Sequence, residues 1–124
     1  MWGGFVVESP FGHKLFYSGD TGYAGVFKEI GHKFGPFDLS ILPIGTYEPR
    51  DLFKPQHINP DEAVRIHKEL RSKQSVGVHW GTFSMGRQGF VQPKYDLLTA
   101  SKNHGLKEGE FLPGTHGQAF IFSK

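Results

Sequence analysis

The sequence reads as an α/β domain. Three short apolar strands alternate with two helices between Lys14 and His79, giving the order β-α-β-α-β. Right-handed crossovers make three such strands parallel. Their C-terminal ends then share one edge of the sheet, where α/β folds place ligands. With 124 residues, 17 of them Gly and 8 Pro, the chain is sized for one domain rich in tight turns.

The elements follow in order. Trp2–Glu8 (WGGFVVE) reads as a strand, Ser9–His13 as a turn, and Lys14–Ser18 (KLFYS) as the second arm of a hairpin. Gly19–Gly22 (GDTG) breaks the pattern. Ala24–Phe34 is a short helix with Val26, Phe27 and Ile30 on one face, although two internal glycines weaken it. Asp38–Leu42 is a strand, and Pro43–His57 a long loop of the kind that carries function. The next helix has the clearest start: Asn59 as N-cap, Pro60 at the first position and Glu62 placed for a capping box. It runs to about Ser72 and buries Ala63, Ile66 and Leu70. Ser75–His79 is a strand, Gly81–Gln92 is irregular, and Pro93–His104 is a helix capped by Gly105. Glu110–Leu112 and Ala119–Phe122 read as short terminal strands.

Composition excludes several functions. A net charge of +2, from 14 basic and 12 acidic residues without a basic cluster, argues against a nucleic-acid partner. The absence of cysteine removes disulfides, thiolate metal sites and a cysteine nucleophile. Any metal must be held by His, Asp or Glu. No apolar run approaches the roughly 18 residues of a membrane span. The N-terminus lacks the pattern of a secretory signal. The expected location is intracellular.

Three features collect at the shared strand edge: Asp20, the Pro43–His57 loop, and His79. Asp20 either caps the turn that follows it or serves as a carboxylate metal ligand. His79 is either a hydrogen-bonded core residue or, with Asp20, part of a zinc or related transition-metal site. His57 is either a solvated loop residue or a group that contacts phosphate or moves protons. Within the loop, Tyr47 is a substrate-binding candidate beside His57, and Glu48 and Arg50 read as an ion pair. His67 reads as structural or solvated, His13, His32 and His104 as turn or helix-end residues, and His116 as near the site or on the surface. The chain has no HExxH and no two histidines one residue apart. A catalytic zinc takes about three protein ligands plus water, and Asp20 with His79 falls short of that.

The runs YSGDTGY (Tyr17–Tyr23), IGHKFGPFDLSILPIGTYEPR (Ile30–Arg50), QHINPDEAVRIHKEL (Gln56–Leu70) and VGVHWGTF (Val76–Phe83) occur in this order. Together with WGGFVV (Trp2–Val7) and THG (Thr115–Gly117), they resemble the N-acylphosphatidylethanolamine-hydrolysing phospholipase D family of the metallo-β-lactamase superfamily. The resemblance implies the C-terminal half of an αββα metallo-β-lactamase fold, a mixed sheet with helices on one face. It implies two zinc ions in the complete enzyme and hydrolysis of N-acylphosphatidylethanolamine to N-acylethanolamine and phosphatidic acid. Asp20 then matches a carboxylate bridging the zincs, His79 a terminal ligand, and His57 a site residue close to the substrate phosphate. The family's HxHxDH cluster, and a histidine ahead of the WGG strand, have no counterpart here. The expectation is therefore a single partial domain over residues 1–124, catalytic when an N-terminal half completes it. The implied partners are a phospholipid substrate at the membrane periphery, and a second copy or a separate N-terminal half covering the open face. Two alternatives stand beside this: a non-catalytic relative acting as a binding or regulatory module, and another metallo-β-lactamase-fold hydrolase of the lactonase type.

Overall fold

The strands assemble in chain order into one sheet, β1 (Phe5–Glu8), β2 (Lys14–Tyr17), β3 (Leu39–Pro43), β4 (Gln74–Val78) and β5 (Phe111–Leu112). The computed structural model describes residues 3–123. Trp2, expected at the start of the first strand, lies outside them. β1 and β2 pair antiparallel as the expected hairpin, and every later pairing is parallel. The parallel arrangement expected of the β-α-β-α-β segment is found, and the whole is the mixed α/β sheet of the fold class read from the sequence.

Register decides which residues face the core. Phe16, Ser40, Ser75 and Phe111 align across β2, β3, β4 and β5, and all four are buried. Leu42 pairs with Gly77 on the same face. The helices α1 (Val26–Lys33), α3 (Pro60–Glu69) and α4 (Gln92–Asn103) supply the other half of the core, through Phe27, Ala63, Val64, Ile66, Leu97 and Ala100. The opposite face, with Leu15, Tyr17, Ile41, Val76 and Val78, is only half-buried.

The start of α3 is as the sequence expects. Asn59 Oδ1 accepts from the Glu62 N–H at 2.8 Å, and Glu62 accepts from the Asn59 N–H at 3.1 Å, with Pro60 in the first turn. Its end is a Schellman turn, Ser72 N–H to His67 O and Arg71 N–H to Lys68 O. Gly105 closes α4 through the equivalent bonds from Gly105 and Leu106. Gly31 explains a glycine that weakened the reading of α1. A Cβ there would sit 2.0 Å from the Glu69 carbonyl oxygen, so only glycine lets α1 lie this close to α3.

Three expectations are corrected. The Pro43–His57 loop is interrupted by a helical turn, α2 (Arg50–Phe53), closed by Leu52 and Phe53 N–H bonds to Pro49 O. Glu48 and Arg50 do not pair: Arg50 bonds Glu62 and donates to the His57 carbonyl at 2.9 Å. Tethered this way, Arg50 ties the loop to the start of α3. Residues 119–122 form no strand. Ile121 is 97% exposed, and the tail pairs with neither outer strand of the sheet, β1 or β5.

His67 is 1% exposed, a structural residue. It bonds the Ser75 hydroxyl through Nδ1 at 2.8 Å, with Glu110 3.5 Å from Nε2. Burial holds its imidazole below the ordinary histidine value, and the Glu110 carboxylate only partly opposes this. A lowered value in the folded state means that the unfolded chain binds the proton more readily. The stabilising contribution is thus complete above the unfolded value of about 6.5 and is lost as pH falls below it. Urea midpoints measured from pH 8 downwards are expected to drop below about pH 6.5, and His67→Gln is expected to remove most of that drop.

Candidate metal centre

The loops that follow β2, β3 and β4 leave the sheet at the same edge, because the three strands run the same way. β2 runs into Ser18, whose N–H bonds the Ile41 carbonyl at 3.2 Å, and Asp20 follows two residues later. β3 runs into Ile44, whose N–H bonds the Val78 carbonyl at 3.0 Å. Gly45 comes next, and a Cβ on it would lie 2.0 Å from the His79 carbonyl oxygen. Glycine is thus what allows the ends of β3 and β4 to meet side by side. His79 follows β4 with φ 60°, and Thr46 has φ 62°. Two non-glycine residues held left-handed at one edge store strain of order 1–3 kcal/mol each, as functional sites commonly do.

This turn at His79 brings its Nδ1 to 2.9 Å from Asp20 Oδ1. Both side chains remain open to solvent, 43% and 64% exposed. They line a cleft of about 310 Å³ with Gly45, Thr46, His57, Thr82, Phe83 and Met85. His57 is held there by the α2 turn. Its N–H bonds the Phe53 carbonyl at 2.8 Å, and its ring meets the edge of Phe53 at 5.8 Å between centroids. The neighbouring Ile58 N–H bonds the Thr21 carbonyl at 2.9 Å, tying this segment to the Gly-Asp-Thr-Gly turn.

Of the residues singled out in the sequence, the structure brings Asp20, His57 and His79 together. It does not bring Tyr47 into this cleft. Tyr47 is 4% exposed, and its hydroxyl donates to Asp96 on α4. Burial, then that hydrogen bond, push its phenol well above the ordinary tyrosine value, so it stays protonated and anchors the loop to α4. His116 sits beyond the edge, 5.4 Å from the Trp80 ring and 3.3 Å from the Thr82 hydroxyl. Thr46, Phe83 and Met85 were not anticipated as cleft residues. Thr46 lay unmarked in the long loop, and Phe83 closes the VGVHWGTF run, the one signal that could have found it.

Asp20 and His79 have the right donor chemistry for zinc, one carboxylate and one imidazole. As a complete centre they do not fit. Among the described residues no three His, Cys, Asp or Glu side chains come together closely enough to hold an ion.

Residues 1–80 match the family described as the beta-lactamase superfamily domain. The chain belongs to that family. Within it, the chain is similar to the N-acyl-phosphatidylethanolamine-hydrolyzing phospholipase D 1 of Caenorhabditis elegans, 48% identical over 123 residues, which are 95% of this chain and 34% of the worm protein. A metal-dependent hydrolase of Rubrobacter xylanophilus is 38% identical over 112 residues, 88% of this chain and 43% of that protein. The crystal structure of an isothiocyanate hydrolase from Delia radicum gut bacteria superposes with a TM-score of 0.76 over 97% of this chain and 43% of that one. At 22% identity, that likeness shows the fold. The chain therefore spans 34% of the length of its worm relative.

The approach of Gly45 to His79 is testable. Gly45→Ala is expected to lower stability by about 1–3 kcal/mol, the range for overpacking, and to part His79 from Asp20. Gly25→Ala, whose added Cβ meets nothing within 4 Å, is expected to change neither. Urea midpoints and crystal structures of the two variants make the comparison.

Proposed function

We propose that this chain forms one side of the active site of a zinc-dependent hydrolase of the phospholipase D type. Its substrate is N-acylphosphatidylethanolamine, and its products are N-acylethanolamine and phosphatidic acid. The observation that carries the reading is the pairing of Asp20 with His79 at 2.9 Å across the ends of β2 and β4. The cleft they line also holds His57. The similarity to the worm phospholipase D supports the lipid substrate, and the similarity to a metal-dependent hydrolase supports the metal.

The side chains divide the work. Asp20 Oδ1 and His79 Nδ1, 2.9 Å apart, are the carboxylate and imidazole that would hold an ion between them in place of their hydrogen bond, and the ion would supply Lewis-acid chemistry there. His57 faces the same cleft as the group placed for the substrate phosphate. Phe83 and Met85 form its apolar wall and displace water from the apolar part of the substrate. Two donors leave at least one more to be supplied from beyond these 124 residues, by an N-terminal segment or by a partner subunit. Among the described residues no helix is long and apolar enough to cross a membrane. The proposal places the protein peripherally, at the surface of an intracellular membrane.

Phosphatidic acid release from N-acylphosphatidylethanolamine, assayed with zinc present in the protein that carries this sequence, tests the reading. Asp20→Asn and His79→Gln are each expected to lower the rate by at least about 100-fold, the upper range for disturbing a ligand's surroundings. Activity unchanged in Asp20→Asn would contradict the assigned site. Turnover of soluble lactones without turnover of the lipid would contradict the substrate.

A further inference from the structure

A helix packed on a sheet needs only one apolar face, yet α4 has two. Pro93, Leu97 and Ala100 are buried. On the exposed side, Val91, Tyr95 and Leu98 follow one another at i, i+4 and i+7 and form a second apolar stripe. The loop ahead of the helix adds Phe83, 77% exposed, with Met85 and Phe90. Six of the 14 large apolar side chains exposed among the described residues thus fall between positions 83 and 98. Scattered singly, such residues need no explanation; gathered in one stretch they mark an interaction surface.

Two further observations say what the surface meets. Phe83 and Met85 also line the cleft of Asp20 and His79, and Phe83 with Phe90 lines a neighbouring recess that contains His79. The patch is therefore continuous with the candidate site. The charged residues between 83 and 98 are Arg87, Lys94 and Asp96. Arg87 and Lys94 are exposed. Asp96 is occupied, accepting from Tyr47 and, at 2.8 Å, from Gln92. Aromatic and aliphatic side chains interleaved with free cations, and no free carboxylate, match the interface of an anionic bilayer.

We infer that the segment from Phe83 to Leu98 is the membrane-docking face of this protein, and that its occupant is the surface of an anionic phospholipid bilayer. The inference rests on the lipid-substrate reading only for its purpose: docking by this face brings the Asp20–His79 cleft to the level of the headgroups. Val91, Tyr95 and Leu98 enter the acyl boundary, while Arg87 and Lys94 meet lipid phosphates.

Co-sedimentation with phosphatidylcholine vesicles, with and without phosphatidylserine and free of N-acylphosphatidylethanolamine, tests it. Binding is expected to vesicles containing phosphatidylserine, and to weaken as salt is raised. The double variant Tyr95→Ser/Leu98→Ser is expected to bind at least about tenfold more weakly, because two apolar side chains no longer leave water. Arg87→Gln/Lys94→Gln is expected to lose about tenfold, and only on the anionic vesicles. Thermal unfolding and oligomeric state of Tyr95→Ser/Leu98→Ser should match the parent, since both side chains face solvent. Parent protein that ignores phosphatidylserine vesicles, or a double variant that binds as the parent does, would overturn the inference. So would a double variant with altered oligomeric state, which would assign the face to a protein contact. Because these vesicles lack the substrate, binding to them is independent of turnover; bound protein that fails to hydrolyse N-acylphosphatidylethanolamine in the separate assay would count against the proposed activity and leave the docking face standing.

Discussion

The parallel register of β2, β3 and β4 is the constraint on which the site depends. Tyr17 is level with Ile41, and Pro43 with Val78. The residues that follow emerge together, so a carboxylate and an imidazole separated by nearly half the chain meet at 2.9 Å. Were β4 reversed, His79 would stand at the far end of a five-residue strand, roughly 16 Å away at 3.3 Å per residue. The juxtaposition has a conformational cost, visible in the left-handed backbone of Thr46 and His79. It also requires a glycine at 45, where any side chain would strike the His79 carbonyl.

What was legible in the sequence follows from how local each cause is. The Asn59–Glu62 capping box and the Gly105 cap are set by residues within one turn of each other, and both are found as read. The strand order needs only hydrophobic runs and the handedness of crossovers, so the meeting of Asp20, His57 and His79 could be anticipated. Causes that lie far along the chain could not. Gly31 looked like a helix breaker because its reason is the Glu69 backbone on another helix. Arg50 has Glu48 beside it in sequence, yet the fold brings it to Glu62. Tyr47 sits in the loop that shapes the cleft, but its ring turns inward to Asp96, a helix away. The continuous apolar run at 119–122 met the pattern of a short strand, yet it pairs with neither outer strand of the sheet.

The same edge unites the chemistry and the surface around it. Phe83 and Met85 belong both to the cleft and to the apolar stretch that continues along α4. Asp20 and His79 both stay open to solvent at that edge.

Anomalous diffraction at the zinc edge, from crystals soaked in zinc, tests the central claim most directly. The account predicts one peak within about 2.0–2.2 Å of both an Asp20 carboxylate oxygen and a His79 ring nitrogen, with at least one further protein donor on the ion. A peak that touches neither, or an Asp20–His79 hydrogen bond that persists while zinc binds elsewhere, would contradict it.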